Sequence, residues 1–364
     1  MFHLVEDIYI VRLCLDLITY SFCFLIFIYI LKVKKIKDNY KNIFLICTFT
    51  PFFFNNLFFD WTYFLDQSKY LLITQSIRDF QFDHIKNYNI SLLLPSVIYA
   101  LLPSPSIYSF TSISLLSRFF FLITLIFCFK KYLNDKAIIY FFLLCPSIIL
   151  YTSVGLRETF LFSFLILFFF NLKKNKFYYA LIFILLLTIT KPELGLMIIL
   201  SLVAYYIFFS DINSIYKVLF LYLFLMTLAQ FNNIFLEYIN KRFTGYYQEE
   251  FFSYPEIYKS LSDMIIRLPY AFLKFIFSPL FEITNIFKFL QFIENIILYF
   301  FIFFYFINCY KKNKLKSLFW LVILLLNLLI YSLVVVNSGS IARYKISLFL
   351  FIILSLNYST KKNV

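Results

Sequence analysis

Long runs of hydrophobic residues alternate with short lysine-rich clusters along the whole chain. Most runs approach about 20 residues, the length of helix that crosses the hydrocarbon core of a bilayer. The pattern predicts eleven membrane-spanning helices, near residues 8–31, 43–59, 107–129, 137–155, 158–172, 177–190, 194–209, 216–231, 287–309, 317–336 and 344–358. We therefore predict an all-α fold, a polytopic integral membrane protein whose 364 residues form a single transmembrane domain.

Two longer polar stretches, residues 60–106 and 232–286, are predicted to be external loops. Residues 90–106 are too short and too often interrupted by proline to cross the membrane, so we expect a re-entrant or interfacial segment there. Residues 271–281 of the second loop predict an interfacial helix. The N-terminal residues lack the basic segment and cleavage site of a signal peptide, so 8–31 is expected to be a retained helix.

The lysine clusters predict the orientation of the chain in the membrane. They occupy residues 32–41, 130–136, 173–176, 311–316 and 361–362. Because positively charged loops remain on the cytoplasmic side, these clusters are placed inside the cell. With eleven spans, the N-terminus then lies outside and the C-terminus inside. The expected location is the bacterial inner (cytoplasmic) membrane, with the two larger loops facing the periplasm.

Composition excludes several classes of function. The chain is 62% hydrophobic and 24% aromatic, with a formal net charge of +14. The basic residues lie between spans rather than on one soluble face, which argues against nucleic-acid binding. Cysteines occur only in apolar segments without CxxC spacing, and neither His3 nor His84 has a second ligand nearby. We therefore expect no disulfide, no metal site and no cofactor.

Arginine is distributed differently from lysine. None of the seven arginines lies in a lysine cluster; the predicted outer side holds Arg78, Arg157, Arg242, Arg267 and Arg343, and predicted spans hold Arg12 and Arg118. Lysine is sufficient for topology, whereas arginine adds a planar fork that binds phosphate or carboxylate through two hydrogen bonds. The distribution indicates an anion-binding outer face. The alternative is that arginine simply tolerates partial burial better.

Three predicted hairpins place their strong charges at the outer turn. These charges are Arg157-Glu158 in 137–172, Lys191-Pro-Glu193 in 177–209, and Arg343-Tyr-Lys345 in 317–358. Lipid does not solvate such groups, so one interpretation is that they line a shared water-filled cavity. The other is that the side chains extend from helix ends to the membrane surface.

The first external loop contains candidate general bases. Its carboxylates include Asp60 and Asp66, and Arg78 supplies a cation. Asp66 and Tyr70 are four positions apart, so one helical face presents both to a sugar. A solvated loop surface is the alternative explanation for each aspartate.

Four stretches together resemble the multi-spanning bacterial O-antigen and capsule repeat-unit polymerases. They are PSIILYTSVGLRE (146–158), TKPELG (190–195), LPYAFLKFIFSPLF (268–281) and SGSIARYK (338–345). The resemblance implies two periplasmic loops and periplasmic arginines that bind polyprenyl-diphosphate glycans. By this resemblance Arg157, Lys191 and Arg343 are the functional cations. The chain departs from the family pattern in having lysine at position 191 and a short second loop, and membrane C-type glycosyltransferases share much of the pattern.

The function implied is polymerisation of undecaprenyl-diphosphate-linked oligosaccharides at the periplasmic face, without a metal. Donor and acceptor are both lipid-linked glycans, and a chain-length regulator and a flippase of the same pathway are expected partners. Arg157, Lys191 and Arg343 would stabilise the diphosphate, while Glu158, Glu193 or Asp66 would act as base or orient the acceptor. The remaining expected substrate contacts are Lys345, Arg78, Arg267, Tyr70 and Tyr344.

Two alternatives remain open. One is a C-type transferase that adds a single sugar from a polyprenyl-monophosphate donor and uses an acidic base in the first loop. The other is a flippase or another transporter of lipid-linked oligosaccharides. A transporter is expected to carry charges along both halves of its pathway and to contain internal repeats. The embedded charges here cluster on the predicted outer side, which argues against transport.

Overall fold

The computed structural model describes residues 2–58, 64, 66–86, 88–129, 136–210, 215–217, 237, 240, 258, 260–280, 283, 286–335 and 338–360. All regular secondary structure in these ranges is helical. Six of the described helices are long and apolar enough to cross a membrane, and a bent pair adds a seventh candidate. The prediction of an all-α, multi-pass membrane protein is confirmed. The count of eleven spans and their orientation stay predictions, and span 216–231 lies almost wholly outside the described residues.

The chain divides into two compact units, Met1–Leu196 and Met197–Val364. The helices of unit 1 are α1 (Phe2–Val33), α2 (Asp38–Cys47), α3 (Thr50–Phe53), α4 (Asp66–Arg78), α5 (Ile90–Leu101), α6 (Phe110–Phe129), α7 (Lys136–Leu144), α8 (Pro146–Ser153), α9 (Glu158–Lys173) and α10 (Phe177–Thr190). The boundary between the units falls within α11 (Pro192–Phe209). Unit 2 continues with α12 (Leu261–Phe277), α13 (Ile286–Lys312), α14 (Lys314–Val334) and α15 (Ser338–Thr360).

Helix α6 is the central helix of unit 1. It is largely buried and packs against α1, α8 and α9. Helices α4 and α5 pack against each other, and α5 also contacts α6 and α10. The α4–α5 pair therefore lies beside the α9–α10 hairpin.

Two predicted spans, 43–59 and 137–155, are interrupted near prolines. Helix α2 ends at Cys47, and Pro51 lies in the first turn of α3, after which a π-helical turn covers Phe54–Phe58. Likewise, α7 ends before Cys145, and Pro146 begins α8. Cys145, the residue before Pro146, is extended (φ −65°, ψ 117°), because proline disfavours helical dihedrals at the preceding residue, so the helix stops there and restarts at Pro146. Thr50, before Pro51, is helical, so Pro51 is accepted in the first turn of α3 without itself ending α2.

Helices α9 and α10 form a tight antiparallel hairpin. The backbone N–H of Lys176 donates to Asn171 O at 2.9 Å and that of Asn175 donates to Leu172 O at 3.0 Å. Asn175 has a φ of 54°, a left-handed conformation that asparagine tolerates better than most residues. The two helices are 16 and 14 residues long, or about 24 and 21 Å. Both are shorter than the roughly 30 Å of a hydrocarbon core.

Helix α15 is the most buried candidate span of unit 2, and it contacts α13 and α14. Helix α14 also packs against α12. The hydroxyl of Ser260 accepts the backbone N–H of Asp263 at 3.2 Å and caps α12. Helix α12 contains most of the predicted interfacial segment 271–281 but begins ten residues earlier, at Leu261.

Candidate functional site

The turn between α8 and α9 is a sharp break in an apolar segment. The two helices are bent by 115° across the residues between Ser153 and Glu158. The backbone N–H of Gly155 donates to Ser114 Oγ of α6 at 3.0 Å. A Cβ at position 155 would lie 2.6 Å from Cγ2 of Ile113. Glycine is therefore needed for the turn to approach α6 this closely.

Neighbouring helices hold this turn through further hydrogen bonds. The hydroxyl of Tyr99 in α5 donates to Leu156 O at 3.2 Å. Ser117 of α6 and Thr159 of α9 share a hydrogen bond between their hydroxyl groups. Each of these side chains is buried, so the bonds are shielded from water. The turn is consequently fixed from two sides, by α5 and by α6.

The charged pair Arg157-Glu158 begins α9. Arg157 is the N-terminal cap residue and is partly exposed, whereas Glu158 in the first turn is only 2% exposed. The N-terminus of a helix carries a partial positive charge, which stabilises the carboxylate and destabilises the guanidinium. The position of Glu158 therefore contributes to helix stability, but the position of Arg157 does not.

Tyr70 of α4 is close to the same charges. Its side chain is 1% exposed, and its hydroxyl interacts electrostatically with Arg157, Glu158 and Asp66. Burial raises the pKa of Tyr70, so the hydroxyl stays a neutral hydrogen-bond donor at physiological pH. Asp66 and Tyr70 lie one turn apart on α4, as the sequence predicted. We call Arg157, Glu158, Tyr70 and Asp66 the turn cluster.

Lys191 lies at the same end of the α9–α10 hairpin as Glu158. It is the C-terminal cap residue of α10 and is 2% exposed. Its carbonyl accepts the backbone N–H of Gly195 at 3.0 Å, and a Cβ at Gly195 would press on the backbone of Thr188. Glu193, in the first turn of α11, is partly exposed. The antiparallel hairpin thus brings a second cation, which is buried, to the level of the turn cluster.

Two arginines that the sequence suggested as substrate contacts bind protein groups. Arg78 donates to carbonyls at the end of α5 and just after it, at 3.3 Å to Ala100, 2.9 Å to Leu102 and 3.0 Å to Ser104. Arg267 pairs with Asp263 one turn away on α12, at 2.7 Å between Nε and Oδ1. Arg78 therefore anchors the chain after α5, and Arg267 has an internal counter-ion.

In unit 2, Lys345 binds the C-terminal end of α12. Its ammonium group donates to Ile276 O at 3.1 Å and Ser278 O at 3.0 Å, and its side chain is 1% exposed. The two preceding residues have other surroundings. Tyr344 is buried, with its ring centroid 4.7 Å from that of Tyr331. Arg343 is partly exposed. A cation is stabilised by the carbonyls at a helix C-terminus. Of the residues Arg343, Tyr344 and Lys345, Lys345 is the one whose charged group binds the carbonyls at the end of α12.

Arg118 is a buried charge near the turn that the site prediction did not include. It is fully buried in α6, where Nε donates to Cys47 O at 3.0 Å and Nη1 donates to Thr152 Oγ1. Its Nη2 atom has no hydrogen-bond partner among the described residues. The sequence already indicated that Arg118 is unusual, because arginines in the middle of an apolar span are rare and often functional.

No family model, curated protein or solved structure matches the chain. Two residues of the sequence predictions lie outside the described residues, Asp60 of the first loop and Arg242 of the second. The charges that the structure places together in unit 1 are those of the turn cluster and Lys191.

Proposed function

We propose that the protein is a glycosyltransferase of the polysaccharide-polymerase type, acting on polyprenyl-diphosphate-linked oligosaccharides at the periplasmic face of the inner membrane. The observation that carries the proposal is Arg157, a partly exposed guanidinium at the positively charged end of α9. A cation is unfavourable at the N-terminus of a helix, so the stability of α9 does not explain an arginine at this position. A bound anion explains the arginine, because the guanidinium and the helix N-terminus both attract an anion.

The depth of the turn supports a lipid-linked anion. If the lysine turn Lys173–Lys176 lies at one membrane surface, helices of about 24 and 21 Å end several ångströms before the opposite surface. The turn cluster and Lys191 then lie below the outer head groups. A diphosphate attached to an isoprenoid tail reaches this depth from the lipid phase, whereas a soluble nucleotide sugar has no apolar anchor there.

The reaction breaks the bond between the anomeric carbon of the donor glycan and its phosphate oxygen. A new glycosidic bond forms to a hydroxyl of the acceptor, and polyprenyl diphosphate leaves. Negative charge develops on the leaving diphosphate, where Arg157 and Lys191 supply fixed positive charge. The proton of the acceptor hydroxyl passes to a carboxylate, for which Glu158, Asp66 and Glu193 are the candidates in unit 1. Arg343 of unit 2 remains a candidate diphosphate contact from sequence alone.

One observation favours a second candidate, the C-type transferase. The carboxylate of Asp66 interacts electrostatically with Tyr70, which also interacts with Arg157. An acidic residue of the first loop therefore belongs to the turn cluster. In a C-type transferase this aspartate would be the base for transfer of one sugar from a polyprenyl monophosphate. The two candidates differ in their products, a polymer in one case and a glycan longer by one sugar in the other.

Deletion of the gene in its host, with complementation, tests the proposal. We expect single repeat units in place of a polysaccharide ladder on a gel, and restoration of the ladder by the wild-type gene. Arg157→Lys should restore it poorly, because lysine keeps the charge but not the two-pronged geometry. Arg12→Lys, the same exchange at an exposed position of α1, is the matched control and should restore it fully.

Three outcomes would count against the polymerase. An unchanged ladder after deletion would contradict any role in glycan assembly. Loss of every repeat unit would favour a transferase or a flippase. Full activity of Arg157→Lys combined with complete inactivity of Asp66→Asn would favour the C-type transferase.

A further inference from the structure

A cavity of about 250 Å³ opens in unit 2 where three helices end together. Phe209 ends α11, Lys316 lies in the first turn of α14, and Ser359 lies in the last turn of α15. All three helices are long and apolar enough to cross a membrane. Their ends therefore mark one membrane surface, and the cavity lies at the level of the lipid head groups.

The wall of the cavity contains the side chain of a buried tyrosine. Tyr205 lines the cavity and is 6% exposed, and its hydroxyl makes no hydrogen bond with the described residues. Its ring stacks on Trp320, with the centroids 5.2 Å apart, so the position of the hydroxyl is fixed by packing. Tyr206 and Tyr358 also line the cavity, with their hydroxyl oxygens 2.9 Å apart.

The charge of the cavity favours an anion. Lys316 is the one cation among the described residues of its wall, which include no carboxylate. Its backbone N–H donates to Asn313 Oδ1 at 3.1 Å, and its ammonium group lies 5.9 Å from the ring centroid of Phe209 without an ion pair among the described residues. Lys311, Lys312 and Lys314 add positive charge to the same turn. An anion at this surface therefore meets a favourable field.

The surroundings of the cavity favour a lipid over a soluble anion. Phe208 and Leu318, beside cavity residues in α11 and α14, are 60% and 42% exposed. In a membrane span, such side chains face acyl chains. We propose that this cavity binds the phosphate head group of an anionic membrane lipid. Lys316 and Tyr205 contact the phosphate, and the acyl chains follow the exposed surfaces of Phe208 and Leu318.

Native mass spectrometry of the full-length protein in detergent tests this binding site. The probe is dimyristoyl-phosphatidylglycerol, and the matched lipid is dimyristoylglycerol, which has the same chains but no phosphate. We expect the phospholipid to be retained and the neutral lipid to be lost under the same conditions. Inorganic phosphate at the same concentration should not displace the phospholipid. Equal retention of both lipids, or displacement by inorganic phosphate, would overturn the proposal.

Two conservative variants test whether the lipid binds in this cavity. Lys316→Gln should weaken retention about tenfold or more, and Tyr205→Phe about fivefold, because each removes one hydrogen bond to a charged group. Lys32→Gln, at an exposed position of α1, and Tyr310→Phe, exchanges of the same type at residues outside the cavity wall, should leave retention unchanged. Thermal unfolding without added lipid confirms that all four variants are folded. Equal retention by the two cavity variants and the two controls would contradict the assignment.

Discussion

Two segments that the sequence predicted as charged turns, Arg157-Glu158 in unit 1 and Arg343-Tyr-Lys345 in unit 2, have different structural surroundings. The first pair lies at a break between two short helices and interacts with a tyrosine from another helix. Arg343 and Lys345 lie within one continuous helix, α15, and the ammonium of Lys345 binds carbonyls that end α12. A buried cation near a predicted turn therefore does not by itself indicate a ligand site.

The electrostatics of helix ends separate the two cases. The carbonyl end of α12 attracts the ammonium of Lys345, so this charge stabilises the fold. Arg157 lies at the N-terminus of α9, whose partial positive charge is unfavourable for a guanidinium. Comparing how substitutions change activity and stability at these two positions tests the distinction.

The largest expected effect is at Arg157. Arg157→Gln should lower the rate of glycan transfer about 100- to 1000-fold, because a fixed charge that stabilises the leaving diphosphate is lost. The melting temperature should stay constant or rise slightly, since a cation is removed from a helix N-terminus. Initial rates with a lipid-linked donor and thermal unfolding in detergent measure the two quantities. A rate near that of the wild type would remove Arg157 from the site.

The next largest effect is expected at the glycine of the same turn. Gly155→Ala should lower the free energy of unfolding by about 1–3 kcal/mol, because the added Cβ collides with Ile113. Adding Ile113→Ala provides space, so the double variant should lose about 1 kcal/mol less than the sum of the single variants. Gly339→Ala, at an exposed position in α15, is the control and should leave stability unchanged or raise it by up to about 1 kcal/mol, because alanine is the better helix former. If the two single losses of unfolding free energy simply added in the double variant, the contact between position 155 and Ile113 would not be the cause of the destabilisation.

Lys345 should affect stability rather than catalysis. Lys345→Met should lower the free energy of unfolding by about 1.5 kcal/mol, because two carbonyls lose a charged donor. The loss is limited because Asn295 also donates to Ser278 O and Tyr299 to Ile276 O. The rate per folded molecule should be unchanged. If activity fell more than tenfold at full stability, Lys345 would rejoin the substrate contacts.

The smallest effect is expected at Arg267. Its ion pair with Asp263 is partly exposed on one helix, so Arg267→Gln should change the free energy of unfolding by about 0.3–0.5 kcal/mol. Thermal unfolding and transfer rates should both lie close to wild-type values. A marked loss of transfer without loss of stability would show that the ion pair opens to bind substrate.

Several features of the fold were predictable because they depend on nearby residues. The predicted span 287–309 lies within α13, and the edges of the α9–α10 hairpin agree with the predicted 158–172 and 177–190. Hydrophobic periodicity and lysine clusters carry this information locally. The interruption at Pro146 is also local in origin, because the residue before a proline disfavours helical dihedrals, although the span prediction treated this segment as continuous.

The roles of single charges were not predictable because they depend on distant segments. Nothing near position 70 in the sequence indicates that Tyr70 interacts with Arg157, and nothing near Lys345 indicates that it binds carbonyls about 70 positions earlier. The same holds for Arg118, whose partners Cys47 and Thr152 come from other helices. Residue type and spacing identified these charges as unusual without identifying their partners.

The sequence alone determined that this chain is an all-α membrane protein with charged residues at the ends of short apolar segments. Those properties follow from the free energy of transferring side chains and backbone between water and lipid. That free energy depends on the composition of each segment alone. Only the tertiary structure decided which charges bind protein groups, as Arg78, Arg267 and Lys345 do. That assignment depends on which helix end or side chain meets each cation, and such contacts join residues that are far apart in the chain.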